Sequence, residues 1–113
     1  WDPSVVDYSK WPGLTPDKLR AGLTKDQQKV QKLGHVVQLD FVTDSATAPE
    51  TLKARLRTEH FDVVMIGAGI RKDDDHFLLF EALVNVVHAH APHARIAFNS
   101  GPSDSDAAIL RWT

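Results

Sequence analysis

Phe61-Asp62-Val63-Val64-Met65-Ile66-Gly67 is the stretch on which the reading of the fold turns. Its apolar residues follow one another without alternation until Gly67 stops them, which is the pattern of a parallel strand covered on both faces; a strand with one wet face would alternate. The run therefore belongs at the centre of a parallel sheet. On its amino side, Thr47-Ala48-Pro49-Glu50 reads as a capping box opening a helix that carries Leu52, Ala54 and Leu56 and ends near His60. On its carboxyl side, Asp73-Asp74-Asp75 crowds the positive start of a long helix running to about His90, and Pro92 follows it. Ala94 to Phe98 is a further strand, and Ser103-x-x-Asp106 starts a closing helix through Trp112.

Further upstream, His35 to Val42 (HVVQLDFV) is rich in β-formers but sets Gln38 and Asp40 on one alternating face, which suits a strand nearer a sheet edge. Before it, Thr15 caps and Pro16 opens a helix whose Leu19, Leu23, Val30 and Leu33 share a face, with Gly34 as its natural stop. Thr24-Lys25-Asp26-Gln27 is a second capping signal, so the helix either runs through or breaks near Gly22 and restarts. Residues 1–14 carry Pro3, Pro12 and Gly13 among scattered aromatics, the punctuation of a loop. The order helix, strand, helix, strand, helix, strand, helix implies right-handed βαβ crossovers: an α/β fold, a doubly wound parallel sheet between two helical layers, in one domain over residues 1–113. Such a unit normally begins with a strand, and Trp1-Asp2-Pro3 reads as the loop leaving one. A first strand is therefore expected before residue 1, and if it belongs between HVVQLDFV and FDVVMIG, those two will not be hydrogen-bonded to each other.

Thirteen Lys and Arg against 15 Asp and Glu give a net charge of −2, which supplies no footprint for nucleic acid or an anionic membrane. The absence of cysteine removes disulfide scaffolds, Cys-based zinc sites and cysteine nucleophiles together. No apolar run in the opening residues serves as signal or anchor, and the expected setting is cytoplasmic.

In open parallel sheets ligands bind beyond the carboxyl ends of the strands. Three segments arrive there: Val42 to Ser45, Gly67 to Lys72, and Asn99 to Pro102, with Asp2 a fourth. Gly67, Ala68 and Gly69 would bring backbone amides to an anion, Arg71 and Lys72 would supply charge, and Asn99, Ser100 and Gly101 would donate hydrogen bonds. The dinucleotide fingerprint G-x-G-x-x-G would need a third glycine where Lys72 stands, and a tight strand-to-helix turn explains the glycines as well. No cofactor is specified. The aspartates at 73–75 suit a helix start better than magnesium, and His88, His90 and His93 cannot converge on zinc while they lie on one helix. His35, His60 and His76 read as ordinary packing or surface residues. No G-x-S-x-G elbow is present, so a catalytic reading through Asp44 or a histidine ranks last.

The long helix carries more apolar side chains than docking on a sheet requires. Leu79, Leu83 and Val86 would cover the sheet, which leaves Phe77, Phe80, Val84 and Val87 on a flank about 90° away. That flank is either covered by a neighbouring helix or used in a symmetric dimer.

From the strand at His35 to that ending at Phe98, the layout resembles flavodoxin-like and response-regulator receiver domains. Where a receiver has its phosphoacceptor aspartate, this chain has Gly67, and where the next strand would end in Ser or Thr, it has Asn99-Ser100. The resemblance therefore implies a flavodoxin-like, Rossmann-like three-layer sandwich without receiver phosphotransfer. GAGIR with LFEALVNVVHAHAPHARIAFN behind it is also similar to small uncharacterised proteins of this layout, a likeness that implies no function. The expectation is a binding domain for a small anionic or phosphorylated ligand at the strand ends. The rival is a receiver-like module that self-associates through the 74–90 helix and binds nothing small.

Overall fold

The computed structural model of the chain describes all 113 residues. After a 3-10 turn at Tyr8–Lys10, the elements run α1 (Pro16–Lys32), α2 (Ala48–Thr58), β1 (Val63–Ile66), α3 (Ala68–Arg71), a 3-10 turn at Asp74–His76, α4 (Phe77–His90), β2 (Arg95–Phe98) and α5 (Ser105–Leu110). Thr15 caps α1, its hydroxyl accepting from the Lys18 amide at 3.2 Å. Gly34 ends the helix at a φ of 93°, in the left-handed region that a side chain would disfavour. The helix passes Gly22 without a break. At α2 the capping box is not made: Thr47 already has helical backbone angles, its hydroxyl gives no cap bond, and the Ala48 amide goes to the Asp44 carbonyl at 3.1 Å.

β1 and β2 pair in parallel, Val63 opposite Arg95 through to Ile66 opposite Phe98. Val64, Ile66, Ile96 and Phe98 project toward α2 and α4, where they pack among Leu52, Leu56, Leu79, Leu83 and Val87. The alternate residue Ala97 faces the other way, and it and Ala108 of α5 are completely buried where α5 meets β2. α1 lies outside this layer and meets the body chiefly through α5.

The doubly wound sheet is not formed, and with it the flavodoxin-like, Rossmann-like architecture falls. Two four-residue strands are the entire sheet, and helices account for about half the chain. Residues 35–42 run without regular structure and make no backbone hydrogen bond to β1; the Val42 carbonyl takes the Asp2 amide at 2.9 Å instead. Val36 is fully exposed, and Leu39 and Phe41 are partly so, because an extended segment gains a buried face only when a ladder fixes it. The segment is held from the side by Arg55 of α2, which grips Asp40 through two nitrogens at 3.0 and 2.9 Å. β1, expected at the centre, is consequently an edge strand, and Val63, Val64 and Met65 are only half-buried.

The long helix also differs from expectation. α4 touches α2, α3 and β1, so its buried arc is wide. Phe80 packs on Phe98 with ring centroids 5.6 Å apart, Val84 joins the same cluster, and Val87 has no exposed surface. Of the four residues assigned to a free flank, only Phe77 is exposed, next to Leu78. No helix is long and apolar enough to cross a membrane.

Val87 should therefore be a stability determinant. Val87→Ala is expected to cost about 2 kcal/mol by urea denaturation, from two lost methyl groups and the cavity they leave. Val36→Ala should change stability by less than about 0.5 kcal/mol.

Candidate functional site

The parallel register ends both strands at one level, so the chain leaves β1 at Gly67 and β2 at Asn99 side by side. The two loops are locked together by polar contacts. The Asn99 side-chain oxygen accepts the Ala68 amide at 2.7 Å, Arg71 Nη2 donates to the Asn99 carbonyl at 2.8 Å, and Lys72 Nζ donates to the Ser100 carbonyl at 2.5 Å. Arg71 Nε is buried and has no partner. The eight residues read from the sequence as a ligand seat, Gly67, Ala68, Gly69, Arg71, Lys72, Asn99, Ser100 and Gly101, are thus brought into one neighbourhood.

Three polar contacts join them, Ala68 to Asn99, Arg71 to Asn99 and Lys72 to Ser100. Two clefts lie beside them: one of about 350 Å³ between Lys10, Trp11 and residues 72–75, and one of about 260 Å³ between the opening segment, Thr43 to Ser45, Asp73 and His76. Lys72 alone of the eight lines either. Nor do the glycines serve close approach. Gly67 has an ordinary extended backbone with open space where a side chain would go, and a Cβ on Gly69 would make only normal contact, 3.6 Å from the Trp1 ring.

The chain supplies its own anion. Asp104 receives the Ser100 amide at 3.0 Å, the Gly101 amide at 3.0 Å and the Ser100 hydroxyl at 2.6 Å. The Ser100 hydroxyl and these amides hold its carboxyl below the ordinary value. Behind the loop, the Asn99 amide nitrogen donates to the Ser105 hydroxyl at 3.2 Å, and the Ser105 hydroxyl and amide both donate to Asp26 of α1. Asp26, Asn99 and Ser105 are all buried. The sequence reading missed Asp26 and Ser105. Asp26 could have been found, since it falls at i+7 from Leu19, i+3 from Leu23 and i−4 from Val30, on the apolar stripe itself.

The remaining candidates settle elsewhere. Asp73 sits between Lys10 at 3.0 Å and His76 at 2.9 Å, and Lys10 also reaches Asp75 at 2.6 Å. Burial pushes the Asp73 carboxyl up, but Lys10, His76 and the Asp75 amide together hold it below its ordinary value. Trp1 stands edge-on to His76 at 4.6 Å, and its indole donates to the Gly69 carbonyl at 3.2 Å. Asp44 is exposed and accepts the Ala46 amide. His60 and His93 stack at 4.5 Å, and no three His, Asp or Glu side chains converge as a metal site would require. Comparisons of the chain with protein-family models, curated proteins and solved structures return no match.

A carboxyl with a depressed folded-state pKa stabilises the fold above its unfolded value, and that contribution disappears as pH falls through the folded value. For Asp104 the unfolded reference is 3.8. The Ser100 and Gly101 amides should therefore exchange with solvent faster, relative to their intrinsic rates, as pH falls from about 5 to about 2. Asp104→Ala should expose both amides at every pH and remove the step.

Proposed function

We propose that the chain is a binding domain for a small anionic or phosphorylated ligand, held where the loops after β1 and β2 meet. The observation that carries this reading is the convergence of two backbone amides and a hydroxyl, from Ser100 and Gly101, on the Asp104 carboxylate, with Lys72 gripping the carbonyl of the same Ser100. Such a donor set suits any compact oxyanion, and Arg71 and Lys72 supply the positive charge that a phosphate would need. Asp104 then acts as an internal competitor. A ligand must displace it, so binding is weaker than the donors alone would give, and the exchanged carboxylate swings out to solvent.

The self-associating alternative draws its support from Phe77 and Leu78, which are 59% and 73% exposed at the start of α4. Phe80, Val84 and Val87 are covered within the chain and contribute nothing to it. An enzymatic reading has less again, because the Asp44 carboxylate is taken up by the Ala46 amide and the nearby Thr47 hydroxyl donates to the Asp44 backbone carbonyl instead.

Calorimetric titration with inorganic phosphate and with a nucleoside monophosphate tests the proposal. Asp104→Asn, which removes the competing charge, should tighten binding by about tenfold, and Lys72→Ala should weaken it by about as much. Absence of heat from both ligands, in wild type and in Asp104→Asn alike, would overturn the reading.

A further inference from the structure

The Asp104 loop already holds an oxyanion, and the way it does so narrows what else it can hold. One carboxylate oxygen, Oδ1, accepts the Ser100 and Gly101 amides, each at 3.0 Å; the other, Oδ2, accepts the Ser100 amide at 3.0 Å and the Ser100 hydroxyl at 2.6 Å. Three donors are thus spent on two oxygens. The amides come from consecutive backbone residues whose directions the fold fixes, and only the hydroxyl is free to turn.

Neither nearby cation takes part. Lys72 donates to the Ser100 carbonyl and Arg71 to the Asn99 carbonyl, and no ion pair joins either of them to Asp104. The third terminal oxygen of a phosphate would therefore be left to water, or would draw a cation off the carbonyl that it now satisfies. Charge points the same way. Asp104, once displaced, stays tethered beside the seat, and a dianion there meets about twice the repulsion that a monoanion does. Ser100 is exposed and Gly101 half-buried, so the body of a ligand has room to extend into solvent.

We propose that the ligand of this loop is a monocarboxylate, seated in place of the Asp104 side chain on the two backbone amides and the Ser100 hydroxyl. The inference rests on the anion-binding reading and names its ligand class. Its two oxygens take the positions of Oδ1 and Oδ2, so every bond that Asp104 gives up is remade and none of the other contacts of the loop has to break. A free organic acid and the carboxyl end of a polypeptide present the same two-oxygen face to these donors.

The test is amide exchange, followed residue by residue in the full-length Asp104→Ala chain with acetate, with inorganic phosphate and with triglycine blocked at its amino end, the ionic strength held by sodium chloride. Acetate should restore slow exchange at Ser100 and Gly101, with an apparent affinity at least about tenfold above that of phosphate. Protection by acetate without protection by the blocked triglycine assigns the seat to a free acid; protection by the peptide without acetate assigns it to a chain end. Should Asp104→Ala lose its fold, the wild-type chain decides: acetate should shift the Ser100 and Gly101 amide resonances at lower concentration than phosphate does, with Asp104 competing equally against both. Phosphate acting as strongly as the carboxylates, or more so, would overturn this proposal and leave the anion-binding reading standing. No effect of any of the three probes on either chain would overturn both.

Discussion

The Asn99 side chain is the tie on which the arrangement depends. It is buried beside the end of β2, and its two polar atoms reach in opposite directions, the oxygen to the Ala68 amide at the start of α3 and the nitrogen to Ser105 at the start of α5. Ser105 in turn gives both its donors to Asp26 of α1. One chain of hydrogen bonds thus links β2, α3, α5 and α1. α1 needs it most, because Asp26 and Val30 are the only residues it buries and α5 is its main neighbour. Lys29 adds a peripheral grip, on the Ser103 carbonyl at 2.6 Å and near Asp106 at 3.6 Å. A buried carboxylate is costly unless hydrogen-bonded, so Asp26 and Ser105 hold each other in place: neither is comfortable in the interior without the other.

The same physics shapes the loops at the strand ends. Backbone amides with no ladder or helix to satisfy them recruit the nearest carboxylate, and the chain provides Asp104. On the neighbouring surface Lys10 bridges Asp73 and Asp75 and His76 bonds Asp73, together pinning the opening segment against the turn before α4. Positive and negative groups are close to balanced at each site, as the net charge of −2 would suggest. What distinguishes the Asp104 loop is that its donors are mostly backbone, fixed in direction by the fold rather than by flexible side chains.

Much of the helical content was legible in the sequence because its signals are local. Thr15-Pro16 and Gly34 bracket α1, and Pro92 follows α4, each through a backbone requirement that needs no tertiary partner. That FDVVMIG and the segment ending at Phe98 are parallel strands was legible too, from the helical crossover between them, but the continuous apolar run placed the first at the centre of a wide sheet that does not form. The segment HVVQLDFV was misread because β-forming residues describe a surface that would suit a sheet, whereas the ladder itself depends on a neighbour. The flank on α4 failed for a similar reason. Helical angles locate Phe80, Val84 and Val87 correctly relative to Leu79 and Leu83, but say nothing of α2 and α3 closing over them. At the candidate site, the residues that meet were found from their place at the strand ends, while their occupation by Asp104 and their support by Asp26 and Ser105 came from contacts 4 and 79 residues apart in sequence.

The central claim is that a buried polar pair holds α1 to the rest of the chain. A double-mutant cycle over Asp26→Ala, Ser105→Ala and the combined variant, read by urea denaturation, tests it directly. Two hydrogen bonds to a buried carboxylate predict a coupling of about 1.5 to 3 kcal/mol, with the double variant far less destabilised than the sum of the singles. Additivity within about 0.5 kcal/mol would contradict the claim and assign the docking of α1 to apolar contact alone.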